Sequence, residues 1–189
     1  MMARPRSDDK RNAILAAATR VIASQGLSAS TAMIAKEAGV SNGSLFTYFE
    51  TKADLLNRLY IELKEEIAEV VAKEPHQGTS LRDRTFHMWS RWGHWAVTFP
   101  EKQKALTLLT VADDITPESH QAGHDAFKEI RELIQLSSAH GPMRDIPLYF
   151  TTALMNGLAE ATIHFMIEDP DNAAMHCLRG FEAFWRMLT

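Results

Sequence analysis

Apolar residues return every three or four positions through most of this chain, the period of a helix buried along one side. Ile14, Leu15, Ala18, Val21 and Ile22 form the first stripe, and Gly26 follows where a left-handed residue ends a helix. Ser28 and Ser30 are candidate N-caps for a short second helix, with Ile34, Ala35 and Ala38 inward and Gly39 closing it. Ser41 predicts the start of a third helix that runs to about Phe49. Thr51-Lys52-Ala53-Asp54 has the form of a capping box and opens a long fourth helix on Leu55, Leu56, Leu59, Leu63, Ile67 and Val70. Pro75 and Gly78 break that helix.

Further helices are expected at roughly 80–98, 101–112, 117–139, 147–168 and 171–188, separated by Pro100, Pro117, Gly141-Pro142, Pro147 and Pro170. No alternating run bounded by hairpin turns occurs, so no sheet is expected, and no repeat or low-complexity tract stands out. The expected class is all-α, with a three-helix domain over residues 1–58 joined by the long helix to a helical domain over 59–189.

Composition narrows the setting. A hydrophobic fraction of 46% and a charged fraction of 23% are ordinary for a globular protein. The one cysteine, Cys177, excludes an internal disulfide framework. The start MMARPRSDDKRN has no apolar secretory segment, and nowhere do about 18 apolar residues run together. A cytoplasmic location away from membranes is therefore expected. Charge is uneven: residues 1–58 hold eight Lys/Arg against five acids, net +3, while the rest hold twelve against nineteen, net −7. A basic head on an acidic body suits a protein that offers one end to a polyanion.

Residues 28–52 have the plan of a helix-turn-helix: short helix, tight turn with glycine, short helix. A helix that reads DNA must enter a major groove about 12 Å wide, so its outward residues must be small or polar. With Ile34, Ala35, Ala38, Val40, Leu45 and Phe49 inward, Ser41, Asn42, Gly43, Ser44, Thr47 and Tyr48 face out. Gly43 weakens a helix, which suits a backbone lying close to another surface. Periodicity alone fits a short solvent-facing helix equally well.

The order of residues decides between them. The stretch Thr31-Ala-Met-Ile34-Ala35-Lys-Glu-Ala38-Gly39-Val40-Ser41-Asn42-Gly43-Ser44-Leu45-Phe46-Thr47-Tyr48-Phe49-Glu-Thr-Lys52-Ala-Asp-Leu55-Leu56 closely resembles the TetR/AcrR family of bacterial transcriptional regulators. The preceding helix fits through Ile14 to Ala18 and Gly26, so the resemblance covers roughly residues 10–60. It implies that Thr31 grips a phosphate and that Ser41 caps the recognition helix and reaches the backbone. Asn42, Ser44 and Thr47 would face base edges, Gly43 would allow close approach, and Tyr48 and Lys52 would clamp phosphates, Lys52 beside an anion-favouring helix N-terminus. Phe46 departs from the family, which usually has tyrosine there, so a hydroxyl contact to phosphate is lost. Arg4, Arg6, Lys10 and Arg11 precede the first helix and read either as a DNA-following arm or as a solvated terminus.

The 80–98 segment is rich in aromatics, with Phe86, Trp89, Trp92, Trp95 and Phe99 spread over more than one face, so its helix should be central. The family resemblance places a sensor pocket among such helices. Trp89, Trp92, Leu108, Phe127 and Tyr149, with Asn156 to orient the guest, would suit a small apolar or aromatic effector; core packing explains each aromatic residue as well. Asn156, Glu160 and His164 make a polar line that serves a ligand, a dimer seam or solvent. Apolar faces at Leu154, Leu158, Ala161 and Phe165, and at Leu178, Phe181, Trp185 and Leu188, lie on the last two helices, through which the family dimerises. Cys177 beside them reads as a small buried hydrophobe, with a redox role as the alternative.

Catalytic patterns are weak. His120 and His124 have a metal pair's spacing without His-Glu-x-x-His, and Glu-x-x-His and phosphate-loop motifs are absent. Ser7-Asp-Asp-Lys10 matches Ser-x-x-Lys without its partner motifs. No cofactor or metal is expected. The reading is a non-enzymatic DNA-binding regulator, a homodimer on a palindromic operator that a ligand releases, with a constitutive DNA-binding or activating protein and a helical interaction module or enzyme as the rival classes.

Overall fold

A computed structural model describes residues 6–73 and 80–189 of the chain. Among them the order is α1 (Arg6–Gln25), α2 (Thr31–Glu37), α3 (Asn42–Tyr48), α4 (Lys52–Ala72), α5 (Leu81–Thr98), α6 (Pro100–Thr110), α7 (Pro117–Asp125), α8 (Lys128–Ser138), α9 (Leu148–Glu168), a 3₁₀ turn (Pro170–Asn172) and α10 (Ala173–Leu188), with no strand among the described residues. The all-α expectation holds. Arg4 and the break at Pro75 and Gly78 lie outside the described residues.

Two details differ from the pattern-based expectation. The helix expected over 117–139 is interrupted: Phe127 leaves helical geometry at φ −99°, ψ 22° and becomes the N-cap position of α8. Neither glycine nor proline stands at the break, so no local signal marks it. The first helix also starts earlier than its apolar stripe, so Lys10 and Arg11 are helical rather than part of a preceding arm.

The chain forms two compact units. The first holds residues 1–65 and 101–124, which places α6 and most of α7 with the N-terminal helices rather than dividing the chain near residue 58. Polar contacts supply the reason. The Asn57 amide donates to the Asp114 carbonyl at 2.7 Å and accepts from the Thr116 N–H at 2.9 Å. His120 lies edge-on to the Tyr60 ring at 5.3 Å, and Gly123 passes so near that an added Cβ would sit 2.9 Å from Tyr60 Cε1. Burial holds the Tyr60 hydroxyl above its usual pKa.

The second unit holds residues 66–100 and 125–189. Helix α5 packs on α8, α9 and α10 and is central as expected, with Met88, Trp89, Trp95 and Ala96 buried. Trp89 stacks on Phe184 at 5.4 Å and its Nε1–H donates to the Cys177 carbonyl at 3.0 Å, satisfying the polar end of a buried indole. The fully buried Thr85 hydroxyl is satisfied by the Leu81 carbonyl at 2.8 Å and Ser137 at 3.1 Å. Where α10 meets α9, a Cβ on Gly180 would lie 2.1, 2.8 and 3.0 Å from Oγ1, Cγ2 and Cβ of Thr162, so a larger residue would force Thr162 to turn and the two helices to ease apart.

Asp169 ends α9 and its carboxylate accepts from His176 Nε2 at 2.9 Å and from Asn172 Nδ2 at 3.1 Å, tying the corner into α10. Those hydrogen bonds, from His176 first, hold the Asp169 carboxyl below its ordinary pKa. A carboxyl with a lowered folded pKa adds stability above its unfolded value of about 3.9 and loses it as pH falls through the folded value. Asp169→Asn should therefore lower the thermal midpoint at pH 7, with the gap from the parent narrowing toward pH 2. Circular-dichroism melts across that range check it, and a gap independent of pH would refute the assignment.

Candidate nucleic-acid interface

The head is built from local signals that agree. Gly26 adopts φ +79° and its N–H returns to the Ile22 carbonyl at 2.8 Å, ending α1. Of the two candidate caps Ser30 serves α2, accepting from the Met33 N–H at 3.3 Å. The end of α2 is a Schellman motif: Val40 N–H reaches the Ala35 carbonyl at 3.0 Å, Gly39 N–H the Lys36 carbonyl at 3.1 Å, and Gly39 takes φ +68°. Ser41 then caps α3, accepting from the Ser44 N–H at 3.1 Å. Thr51 likewise accepts from the Asp54 N–H at 3.0 Å, while the Asp54 carboxylate accepts from the Glu50 N–H at 3.1 Å, a near-reciprocal cap on α4.

This scaffold turns one face of α3 inward and leaves the other clear. Leu45 and Phe49 are buried, whereas Ser41, Asn42, Gly43, Phe46 and Thr47 are exposed and Ser44 and Tyr48 are half-buried. Leu45 and Phe49 lie inward and Ser41, Asn42, Gly43 and Thr47 outward as the helical period expects, and Phe46 joins the outer face. Thr47 Oγ1 donates to the Gly43 carbonyl at 3.2 Å, which leaves its lone pairs free to accept. A Cβ on Gly43 would meet nothing within 4 Å, so nothing among the described residues requires glycine there. Thr31 is the first residue of α2 and half-buried.

Lys52 has an internal duty that the sequence did not signal: Nζ donates to the Leu27 carbonyl at 2.5 Å, tying the start of α4 to the turn after α1. Two ammonium protons remain for another acceptor. Arg11 is likewise internal, paired with Glu62 at 2.6 Å and lying over the Phe49 ring at 5.9 Å. Arg20 joins α1 to α2 through Glu37 at 2.7 Å. Lys10 is exposed.

In the second unit, Trp89 and Trp92 share a cavity of only about 10 Å³ with Gly93, Ala159, Ile163 and Met166. Trp92 Nε1 is buried without a hydrogen-bond partner among the described residues. The other residues expected at the effector site are not gathered there. Tyr149 is 72% exposed, Asn156 is exposed, Phe127 is half-buried at the start of α8, and Leu108 belongs to the other unit. Glu160 is exposed, and exposed His164 lies 3.3 Å from Glu168 on the same helix face. Cys177 is buried, and burial pushes its thiol pKa up, against thiolate chemistry. His120 faces the Tyr60 hydroxyl at 3.3 Å, and among the described residues no three His, Cys, Asp or Glu gather as metal ligands. No helix of the described residues is long and apolar enough to cross a membrane.

A capped, glycine-turned pair of short helices with a polar outer face defines a helix-turn-helix DNA-binding protein. Residues 14–59 match the family described as bacterial regulatory proteins, tetR family. A tetR family transcription regulator from Shewanella sp. is 29% identical and superposes with TM-score 0.84 over 93% of this chain and 96% of that one. A TetR family regulator from Marinobacter aquaeolei, 21% identical, shares the fold at TM-score 0.85 over 97% of each chain. LfrR from Mycobacterium smegmatis, solved in complex with proflavine, shares it at 16% identity and TM-score 0.70 over 93% and 95%. The N-terminal part of the chain is thus similar to the tetR family of bacterial regulatory proteins, and the whole chain is similar in fold to the Shewanella transcription regulator.

Gly43 offers a direct check, because its conformation is ordinary and its surroundings open. Gly43→Ala should raise helix stability by up to about 1 kcal/mol and yet weaken DNA binding, since the methyl projects from the reading face. Thermal melts and a DNA titration on the same variant measure both, and unimpaired binding would remove Gly43 from the interface.

Proposed function

We propose that this regulator is a homodimeric repressor that binds a roughly palindromic operator and releases it when a small molecule occupies the helical body. The observation that carries the reading is an apolar surface on α9 and α10 that the described residues leave exposed: Phe165 is 54% exposed, Met175 48% and Leu178 46%. The Phe165 ring lies 5.8 Å from that of His176, so both helices contribute to one face. Exposed apolar residues clustered this way favour a partner surface, and a second copy supplies a complementary one by two-fold symmetry. A dimer also presents two α3 helices to successive major grooves, about 34 Å apart.

Ligand relief is supported by the aromatic α5 and by the proflavine complex of LfrR, a protein of the same fold. Phe127, Tyr149 and Asn156 lie in the same unit as Trp89 and Trp92 and stay candidates for the bound state. A ligand that shifts α4 changes the spacing of the two heads, and its differential affinity for the two spacings sets the release. Asn42, Gly43, Ser44 and Thr47 address base edges, while Thr31, Ser41, Tyr48 and Lys52 hold the sugar-phosphate backbone.

A mobility-shift titration on the DNA upstream of the chain's own gene should give a salt-sensitive, sequence-specific complex. Absence of binding there and across the genome would sink the regulator's proposed operator. Tyr48→Ala should weaken all sequences about equally, whereas Asn42→Ala should change base preference; equal effects would overturn that division. Sedimentation should show a dimer that Phe165→Glu together with Leu178→Glu converts to a folded monomer with lost operator affinity. A parent chain that sediments as a monomer would refute the dimer.

A further inference from the structure

A second, larger recess lies on the same unit as the aromatic cavity. It is a groove of about 530 Å³ between the end of α4, one face of α5 and the start of α10, with Phe86, Val97, Met166 and Ala173 among its apolar walls. Among the described residues its polar lining is Ser90, His87, Arg91 and His94, with no Asp or Glu. His87, Arg91 and His94 stand at positions i, i+4 and i+7, so all three project from one side of α5.

Arg91 is held for binding. Its Nε–H donates to the Val70 carbonyl at 2.5 Å, one of the carbonyls left without a helical partner in the last turn of α4. Nothing else among the described residues bonds this side chain. The guanidinium is thus fixed by one edge with its two terminal nitrogens available, the fork that accepts a carboxylate bidentately. His87 Nε2 meets the Lys73 carbonyl at 3.1 Å, and His94 is exposed at the rim. Met166 lines both this groove and the small Trp89/Trp92 cavity. Its Sδ and Cε would lie 3.2 and 3.1 Å from a Cβ on Gly93, with Cys177 Sγ further off at 3.9 Å, so the flexible thioether fills most of the space beside that glycine.

We propose that this groove binds an amphipathic monocarboxylate, with the carboxylate on Arg91 and the apolar body along Phe86, Val97 and Met166. Displacement of the Met166 thioether lengthens the apolar channel toward Trp92. The guest takes hold of the same guanidinium that caps α4, so occupancy bears directly on the helix that carries the DNA-reading head at its other end. Only this last consequence rests on the ligand-relief reading above; the site itself does not.

Decanoate, below its micellar concentration, is the probe, with decanol and decyltrimethylammonium as controls on the full-length chain. Decanoate should change tryptophan fluorescence saturably and raise the thermal midpoint, and decyltrimethylammonium should do neither. Arg91→Gln should weaken decanoate at least about tenfold, the loss of a charge-assisted hydrogen bond, while decanol changes less than about twofold. Ala174→Phe, at an exposed groove position that leaves Arg91 in place, should block both decanoate and decanol without altering the melt of the unliganded chain. Decanoate affinity unchanged in Arg91→Gln or in Ala174→Phe overturns the site, as does equal binding of the cationic amphiphile. If decanoate binds as described but leaves operator affinity unchanged, the site stands and ligand relief falls. If operator binding persists and decanoate does not bind, the groove proposal falls alone.

Discussion

Seven residues cannot hold a helix in water, because nucleation costs more than so few hydrogen bonds return. Helix α3, at seven residues, therefore exists only through what it is packed against. Leu45 and Phe49 bury completely or nearly so, Ser41 satisfies its first turn, and the Gly39 turn sets its angle to α2. Arg11 covers the Phe49 ring and pairs with Glu62 on α4, closing the far side. Since this inner half alone supports the helix, Asn42, Gly43 and Thr47 are released from structural duty. That freedom is what allows the outer face to be specific for something outside the molecule.

Helix α4 belongs partly to each compact unit, and both of its ends are tied by cationic side chains to backbone carbonyls. Lys52 at its start reaches the Leu27 carbonyl, and Arg91 reaches Val70 near its end. A donor lent to a carbonyl is a contact that a competing anion can modify. Phosphate approaching Lys52 and a carboxylate approaching Arg91 would each act on a tether of the same helix. An equilibrium that both sites bias through one element is the physical requirement for coupling.

Much of the head was legible because its signals are local. Gly26 and Gly39 need positive φ, Ser30, Ser41 and Thr51 need only reach three residues ahead, and the inward set follows helical period. The second unit was less legible. Nothing at Ala126 or Phe127 interrupts helical propensity, yet the chain breaks there as it passes from one unit to the other. Tyr149 reads as a candidate pocket aromatic and stands largely in solvent, because helical period says which residues share a face but not which neighbour covers it. Arg91, by contrast, carried no sequence signal at all; its interest depends on Val70, twenty-one residues earlier.

The sequence by itself determined the all-helical class, the caps and turns that frame α3, and the inner and outer faces of that helix, since each depends on residues within about two helical turns. Tertiary structure alone decided that Arg11 is a strut rather than an arm, that Lys52 holds the turn after α1, and that α6 joins the N-terminal unit. It alone placed Arg91 beside an apolar groove with its fork unpaired among the described residues. Those outcomes turn on distances between residues far apart in the chain, which periodicity does not encode.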